Sequence, residues 1–429
     1  MKSRWLPLIA LGFGSLALAA DWPQYRGPTR DNKIADFSPP ASWPKELKQV
    51  WKVPVGDGVS SPALVGDKLY VFTREGDNEV IRCVDAATGK EVWKDQYEAK
   101  AVTGPDRGYQ GPRSSPAVGD GKVCTLGVWG VVSCLDADTG KVVWRKDTKL
   151  WPAFHTSTSP IILDGACIVH VGGGGGGMGG RGKGGPGKGP GKGPGKGGPG
   201  KGGGRMGGGK GEVTALDLTT GEPKWKCTGD GPSYSSPVVA TLGGVKQVVV
   251  LTDQNLAGIA ATDGKLLWQT PLRGQRYSTG TPVIDGDTVI CMGTAFAISK
   301  DGDKFAAKQV WKGQAPHTYN TPVLKDGLLY GLTGSGRETH FYCQDAKSGK
   351  VLWTDDTRRG ECGAVLDAGP VLLALTSDTQ LVVFKPSKDG YEEVAKYKVA
   401  DSPTWAYPIV DGKRVFVKDR DSLALWTIE

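Results

Sequence analysis

Short apolar runs alternate with polar, glycine-centred turns along most of this chain, the signature of strands joined by hairpins. The order of runs and turns repeats about every 43 residues. One unit opens on Ser-Ser-Pro and passes through an apolar strand, Gly-Asp-Gly and a second strand. A third strand then ends in Asp-Ala-x-Thr-Gly-Lys, and x-x-Trp follows. The unit runs from Ser60-Ser61-Pro62 through Asp85 and Lys90 to Trp93, and again from Ser114-Ser115-Pro116 through Asp136 and Lys141 to Trp144. Later copies open at Pro160, Pro237, Pro282 and Pro322 and reach Trp225, Trp268, Trp311 and Trp353. A degenerate seventh opens at Ala364 and ends near Ala395, and the eighth opens at Pro408 but stops at Glu429 before a fourth strand.

The missing strand lies at the other end. Lys48-Gln49-Val50-Trp51-Lys52-Val53 matches the tryptophan strand but has no unit before it. An open sheet edge presents unpaired N–H and C=O groups, so strands from both termini closing a ring remove a liability. The expectation is an all-β, eight-bladed β-propeller of four-stranded antiparallel blades, closed by pairing of the N-terminal strand with the C-terminal blade. Composition agrees. The 66 glycines among 429 residues exclude a coiled coil and argue against a helical globule.

Each motif residue has a local reason. In Asp-Ala-x-Thr-Gly-Lys, Asp and Thr bond backbone N–H groups, and Gly takes the positive φ that closes the turn. The recurring Trp51, Trp93, Trp144, Trp225, Trp268, Trp311 and Trp353 are expected to dock on a neighbouring blade, the indole N–H finding a partner there. Three of the eight cysteines, Cys83, Cys134 and Cys343, stand two residues before the motif Asp, where another copy has Ala215. That position takes a small apolar side chain, so the cysteines read as buried free thiols. Cys124 and Cys134, flanking a short hairpin, are the candidate disulfide.

On these motifs the chain resembles the pyrroloquinoline-quinone-like (PQQ-like) β-propeller family, over about residues 48–429 apart from one insert. That family includes quinoprotein alcohol dehydrogenases and the barrel-assembly lipoprotein BamB. The opening Trp22-Pro23-Gln24-Tyr25-Arg26-Gly27-Pro28 resembles the mature N-terminus of many exported members. The resemblance implies the fold; activity is not inherited with it.

The ends and the charge refine the picture. Lys2 and Arg4 precede an apolar run from Leu6 to Leu18, and Ala17-Leu18-Ala19 supplies an A-x-A site. Residues 1–20 are therefore expected to be a cleaved signal peptide, 21–47 an N-terminal extension and 48–429 the propeller. No cysteine marks a lipoprotein junction, and no later segment reads as a membrane span. The expectation is an exported, soluble monomer, periplasmic or extracellular. The net charge of +8 comes largely from residues 172–211, where 26 Gly, 8 Lys or Arg, 4 Pro and 2 Met fill all 40 positions. This insert falls within the third blade, is too poor in apolar residues to fold alone, and is a candidate contact for an anionic polymer. No specific nucleic-acid binding is expected.

Connectivity puts the loops between second and third strands, and those between blades, on one rim. Residues just before each Pro should crowd that mouth. Three positions upstream stand Arg113, Tyr234, Tyr319, Glu361 and Trp405, against Val59, Ser157 and Thr279. Five positions upstream stand His155, Tyr277, His317 and Arg359, and Asn320 stands two positions before Pro322. These large polar and aromatic side chains are the ligand-rim candidates.

The dehydrogenases of the resembled family usually carry a vicinal Cys-Cys pair, which this chain lacks, as it lacks the haem motif Cys-x-x-Cys-His and any zinc spacing. Glu361, Asn320 and Arg113 are conceivable remnants of a quinone site, but no motif selects them. The expectation is a non-catalytic envelope protein that binds a protein, peptide or glycan at its rim, with no cofactor and no metal. The alternatives are a minimal quinoprotein using PQQ with Ca2+, and a barrel-assembly factor resembling BamB.

Overall fold

A computed structural model describes residues 21–103, 107–152, 155–172, 210–272 and 279–429. Residues 1–20, nearly all of the 172–211 insert and Tyr277 lie outside the described residues. The described strands form eight four-stranded antiparallel sheets and no helix. Seven follow chain order: blade 1 spans 63–98, blade 2 117–147, blade 3 161–230, blade 4 238–271, blade 5 283–312, blade 6 323–354 and blade 7 363–398. Blade 8 takes three strands from 409–427 and its fourth from Lys48–Pro54, with Lys48 opposite Thr427 and Pro54 opposite Ser422. The fold is an eight-bladed β-propeller, and the two ends of the chain close it.

First strands of adjacent blades touch one another, so they line the central channel and the fourth strands lie outside. A bulge recurs where the third and fourth strands pair in every blade, beside the tryptophan wherever one is present. It tilts the outer strand and aims the indole at the next blade. Trp93 donates to the Ala137 carbonyl at 3.0 Å, Trp144 to Leu218 at 3.1 Å, and Trp311 to Ala346 at 2.9 Å. Trp51 reaches Ala86, Trp225 reaches Ala261 and Trp353 reaches Ser387.

Trp268 departs from this rule. It donates to Gln247 Oε1 within its own blade at 2.7 Å. The next blade runs its third strand on to Asp301 and turns through Gly302, so it has no Asp-Ala-x-Thr-Gly-Lys carbonyl to offer.

The small residue two before the motif Asp also finds its reason. Cys83 pairs across the strands with Trp93, Cys134 with Trp144, Ala215 with Trp225 and Cys343 with Trp353. A large side chain there would collide with the indole base. All eight cysteines are free thiols; Cys124 and Cys134 are buried cross-strand neighbours without a bond between them.

Residues 21–37 fill the channel. Asp21 meets the turn at Gly66, on the face opposite the mouth, and Trp22 pairs with Leu64 of blade 1. The arm then turns beneath the mouth and leaves beside blade 7, where Asn32 donates to the Val365 carbonyl and Ile34 to Asp367. Arg26 and Arg30 hold carbonyls of blades 3, 4 and 6 on the way. Trp22, Ile34 and Phe37 join the large cluster that also contains the inner residues of blades 7, 8 and 1.

Candidate functional site

The residue just before each Pro builds a belt around the channel top. Ser61 N–H donates to Ser115 Oγ, Ser115 N–H to Ser159 Oγ and Ser159 N–H to Ser236 Oγ, each at 3.0 Å. Thr281 N–H meets Thr321 Oγ1 at 2.9 Å, and Tyr407 N–H meets Ser61 Oγ at 2.7 Å. In these five places a blade hands its N–H to the hydroxyl of the next, whereas Thr281 Oγ1 has no partner among the described residues and blade 7 carries Gly363 at this position. One residue earlier, the side chain ties down its own blade: Thr158 Oγ1 donates to the His170 carbonyl at 3.0 Å, and Asn320 Oδ1 accepts from Leu332 N–H at 2.9 Å.

Three positions before the Pro, the side chain stands above the belt. All eight such residues, Val59, Arg113, Ser157, Tyr234, Thr279, Tyr319, Glu361 and Trp405, line a cavity of about 460 Å³ on the propeller axis. The belt hydroxyls of Ser61, Ser115, Ser159 and Ser236 form its lower wall. Its floor is Tyr25 of the arm, set edge-on to Tyr407 with ring centroids 5.2 Å apart. Tyr109 extends the wall, edge-on to Trp405 at 5.4 Å, and its carbonyl accepts from Arg113 at 3.2 Å. The Tyr109 phenol is pushed up by burial and by the Glu361 carboxylate; burial also pushes Tyr407 well up. Both phenols stay neutral donors at physiological pH.

The remaining candidates sit elsewhere. His155, His317, Asn320 and Arg359 are buried and none lines the cavity. The His155 ring stands edge-on to Trp129 at 4.5 Å, with its backbone at φ +64°. His317 N–H donates to the Leu332 carbonyl at 2.8 Å, and burial lowers the pKa of its imidazole. Asn320 also donates to the Gly363 carbonyl of blade 7 at 2.8 Å. Arg359 gives two bonds to Asp355 Oδ2, at 2.6 and 3.1 Å, and lies over the Phe341 and Tyr391 rings. Arg359 thus packs between blades 6 and 7, while the His317 ring lies against Tyr319 of its own loop, with centroids 5.6 Å apart. Tyr25, Tyr109, Tyr407 and the belt serines were not singled out from sequence, although a hydroxyl just before the Pro in most copies carried the signal.

The cavity can stack planar or apolar groups and donate hydrogen bonds to polar ones. A quinone bearing several carboxylates, with calcium, needs more. Among the described residues the wall offers one cation, Arg113, and one carboxylate, Glu361, and no group of three His, Cys, Asp or Glu is placed to hold a metal. That donor set does not fit the cofactor.

The family model described as outer membrane protein assembly factor BamB matches residues 44–185 and 77–355. The outer membrane protein assembly factor BamB of Burkholderia pseudomallei is 24% identical over 382 residues, covering 80% of this chain and 88% of that protein. The solved quinohemoprotein alcohol dehydrogenase of Comamonas testosteroni superposes with a TM-score of 0.65 at 15% identity, over 95% of this chain and 80% of that one. BamB of Moraxella catarrhalis gives 0.58 at 14% identity, over 89% of this chain and 98% of that one. At such identity the two structures show the shared fold alone.

Proposed function

Since this chain belongs to the family of the outer membrane protein assembly factor BamB, we propose that it is a non-catalytic binding protein of the cell envelope that captures a polypeptide segment in the axial cavity. The cavity carries the reading. Its wall is rich in Tyr and Trp, the residues that supply large contact area at low entropic cost and dominate binding hot spots. Belt hydroxyls and Glu361 supply polar partners for backbone N–H groups, and Arg113 supplies one for a carbonyl. The name of the family's model, with its reference to protein assembly, favours a polypeptide over a glycan. Export to the periplasm or beyond belongs to the same reading. No described helix is long and apolar enough to cross a membrane.

A quinone-dependent dehydrogenase is the competing reading, and the donor set of the cavity argues against it. One experiment separates the two. Tyr319, 45% exposed on the wall, is changed to Ala, and binding is measured by fluorescence anisotropy against a library of unfolded envelope polypeptides. A loss of about tenfold or more is expected, the usual cost of removing an aromatic hot spot. Unchanged peptide affinity, or tight quinone uptake with calcium and dye-linked alcohol oxidation, sinks the proposal. Binding of glycans without peptides would move the site to a different ligand.

A further inference from the structure

The axial cavity is blind. The arm shuts its lower end: Tyr25 is the floor, and behind it Arg30 donates to the carbonyls of Ser159, Pro160 and Pro237, and Arg26 to that of Pro322. Both guanidiniums are buried. A polypeptide captured here cannot thread through the ring; it enters by an end or as a loop. The volume of about 460 Å³ suits a ligand of drug size, roughly the last few residues of one chain and not the two strands of a loop.

The belt decides which end. The hydroxyls of Ser61, Ser115, Ser159 and Ser236 each accept one backbone N–H, from Tyr407 or from the neighbouring serine. Each keeps its own proton to donate, for none of the four meets an acceptor among the described residues. All four line the cavity, and none is more than 3% exposed. A buried donor left unanswered is costly, and a ligand oxygen at the belt answers several together. Hydroxyls also accept, so the charge behind them sets the sign of the ligand. Neither Arg26 nor Arg30 forms an ion pair with a carboxylate among the described residues, and the charge of Arg26 acts on the Tyr407 phenol of the cavity wall. The carboxylate of the lining, Glu361, belongs to the upper wall. The lower end is therefore positive and rich in donors.

We propose that the polypeptide enters this cavity carboxylate end first. Its α-carboxylate meets the belt hydroxyls above the two guanidiniums, and its last side chains stack on the Tyr and Trp rings of the wall. This rests on the peptide reading above and assigns the part of the peptide that is held.

The test uses the full chain and three pools of fluorophore-labelled unfolded peptides that share the same sequences, read by anisotropy at fixed ionic strength. One pool ends in a free carboxylate and the second in an amide. The third ends in an amide but carries one added internal Glu, which restores the charge and so controls for attraction to the basic 172–211 insert. The free-acid pool is expected to bind about tenfold or more tighter than either of the others. In Ser115→Ala that preference should shrink several-fold, with the amide pool bound as before. Equal affinity for the acid and amide pools, or for the acid and Glu pools, overturns the carboxylate-first assignment and leaves peptide capture standing. An undiminished preference in folded Ser115→Ala also overturns it, because the carboxylate then sits away from the belt. No binding of any pool overturns both readings. Should Ser115→Ala fail to fold, the comparison of pools on the wild-type chain decides alone.

Discussion

At the scale of single residues, the turn glycine has two duties. Gly140 sits at φ +72°, and a Cβ there would stand 2.5 Å from the Trp93 ring of the preceding blade. Gly89, Gly221, Gly264 and Gly349 face Trp51, Trp144, Trp225 and Trp311 in the same way. Gly140→Ala is therefore expected to cost about 3 kcal/mol, backbone strain and overpacking together. Gly66→Ala, at φ +56° with nothing within 4 Å, should cost only about 1 kcal/mol. Equal losses in urea unfolding would refute the second duty. His170 gives a pH signature. Burial pushes its imidazole down from the usual 6.5 to about 4, so the unfolded chain takes up a proton in that interval and the folded one does not. Its contribution to stability is complete above pH 6.5 and is lost as pH falls towards 4, on the order of 3 kcal/mol in all. His170→Gln should flatten that part of the stability curve; an unchanged slope would count against the assignment.

At the scale of elements, the blade was legible because every copy repeats the same compromises. Ser-Ser-Pro, Asp-Ala-x-Thr-Gly-Lys and the tryptophan each recur at fixed offsets, so strand count and ring closure followed from spacing. What did not repeat stayed hidden. Trp268 turns to Gln247 because a single blade lengthens its hairpin. His317 and Arg359 looked like rim residues because they are large and polar, yet neither lines the cavity, and sequence offset alone does not say which way a loop residue points. The insert belongs to this scale too. Gly172 and Gly211, at its edges, are paired across adjacent strands, so a short turn can join them directly. Replacing 173–209 by such a turn should leave the unfolding temperature nearly unchanged, because loop length costs little entropy, while adhesion to anionic polymers weakens. A large drop in melting temperature would mean that the insert packs on the blades.

At the scale of the whole molecule, closure and plugging are the work of one segment. Residues 21–54 supply the channel arm and the fourth strand of blade 8, and both join the cluster linking blades 7, 8 and 1. Calorimetry of a chain beginning at Val55 should show no single cooperative transition, since blade 8 then has an unpaired edge and the channel is empty. An unaltered melting curve would show that the ring holds without the arm. The arm was invisible to repeat analysis because its contacts are made once. Two arginines and an asparagine meeting carbonyls of four blades leave no period to detect.

That same arm constrains biosynthesis. A ribosome or a translocation pore delivers residue 21 before any blade exists, yet the carbonyls that Arg26, Arg30 and Asn32 require come from blades 3, 4, 6 and 7. The earliest stretch must wait, unsatisfied, until nearly the entire polypeptide has emerged. Maturation is thus a post-release event, in which the leading end threads home last and nascent chains arrested before blade 7 remain open to proteolysis.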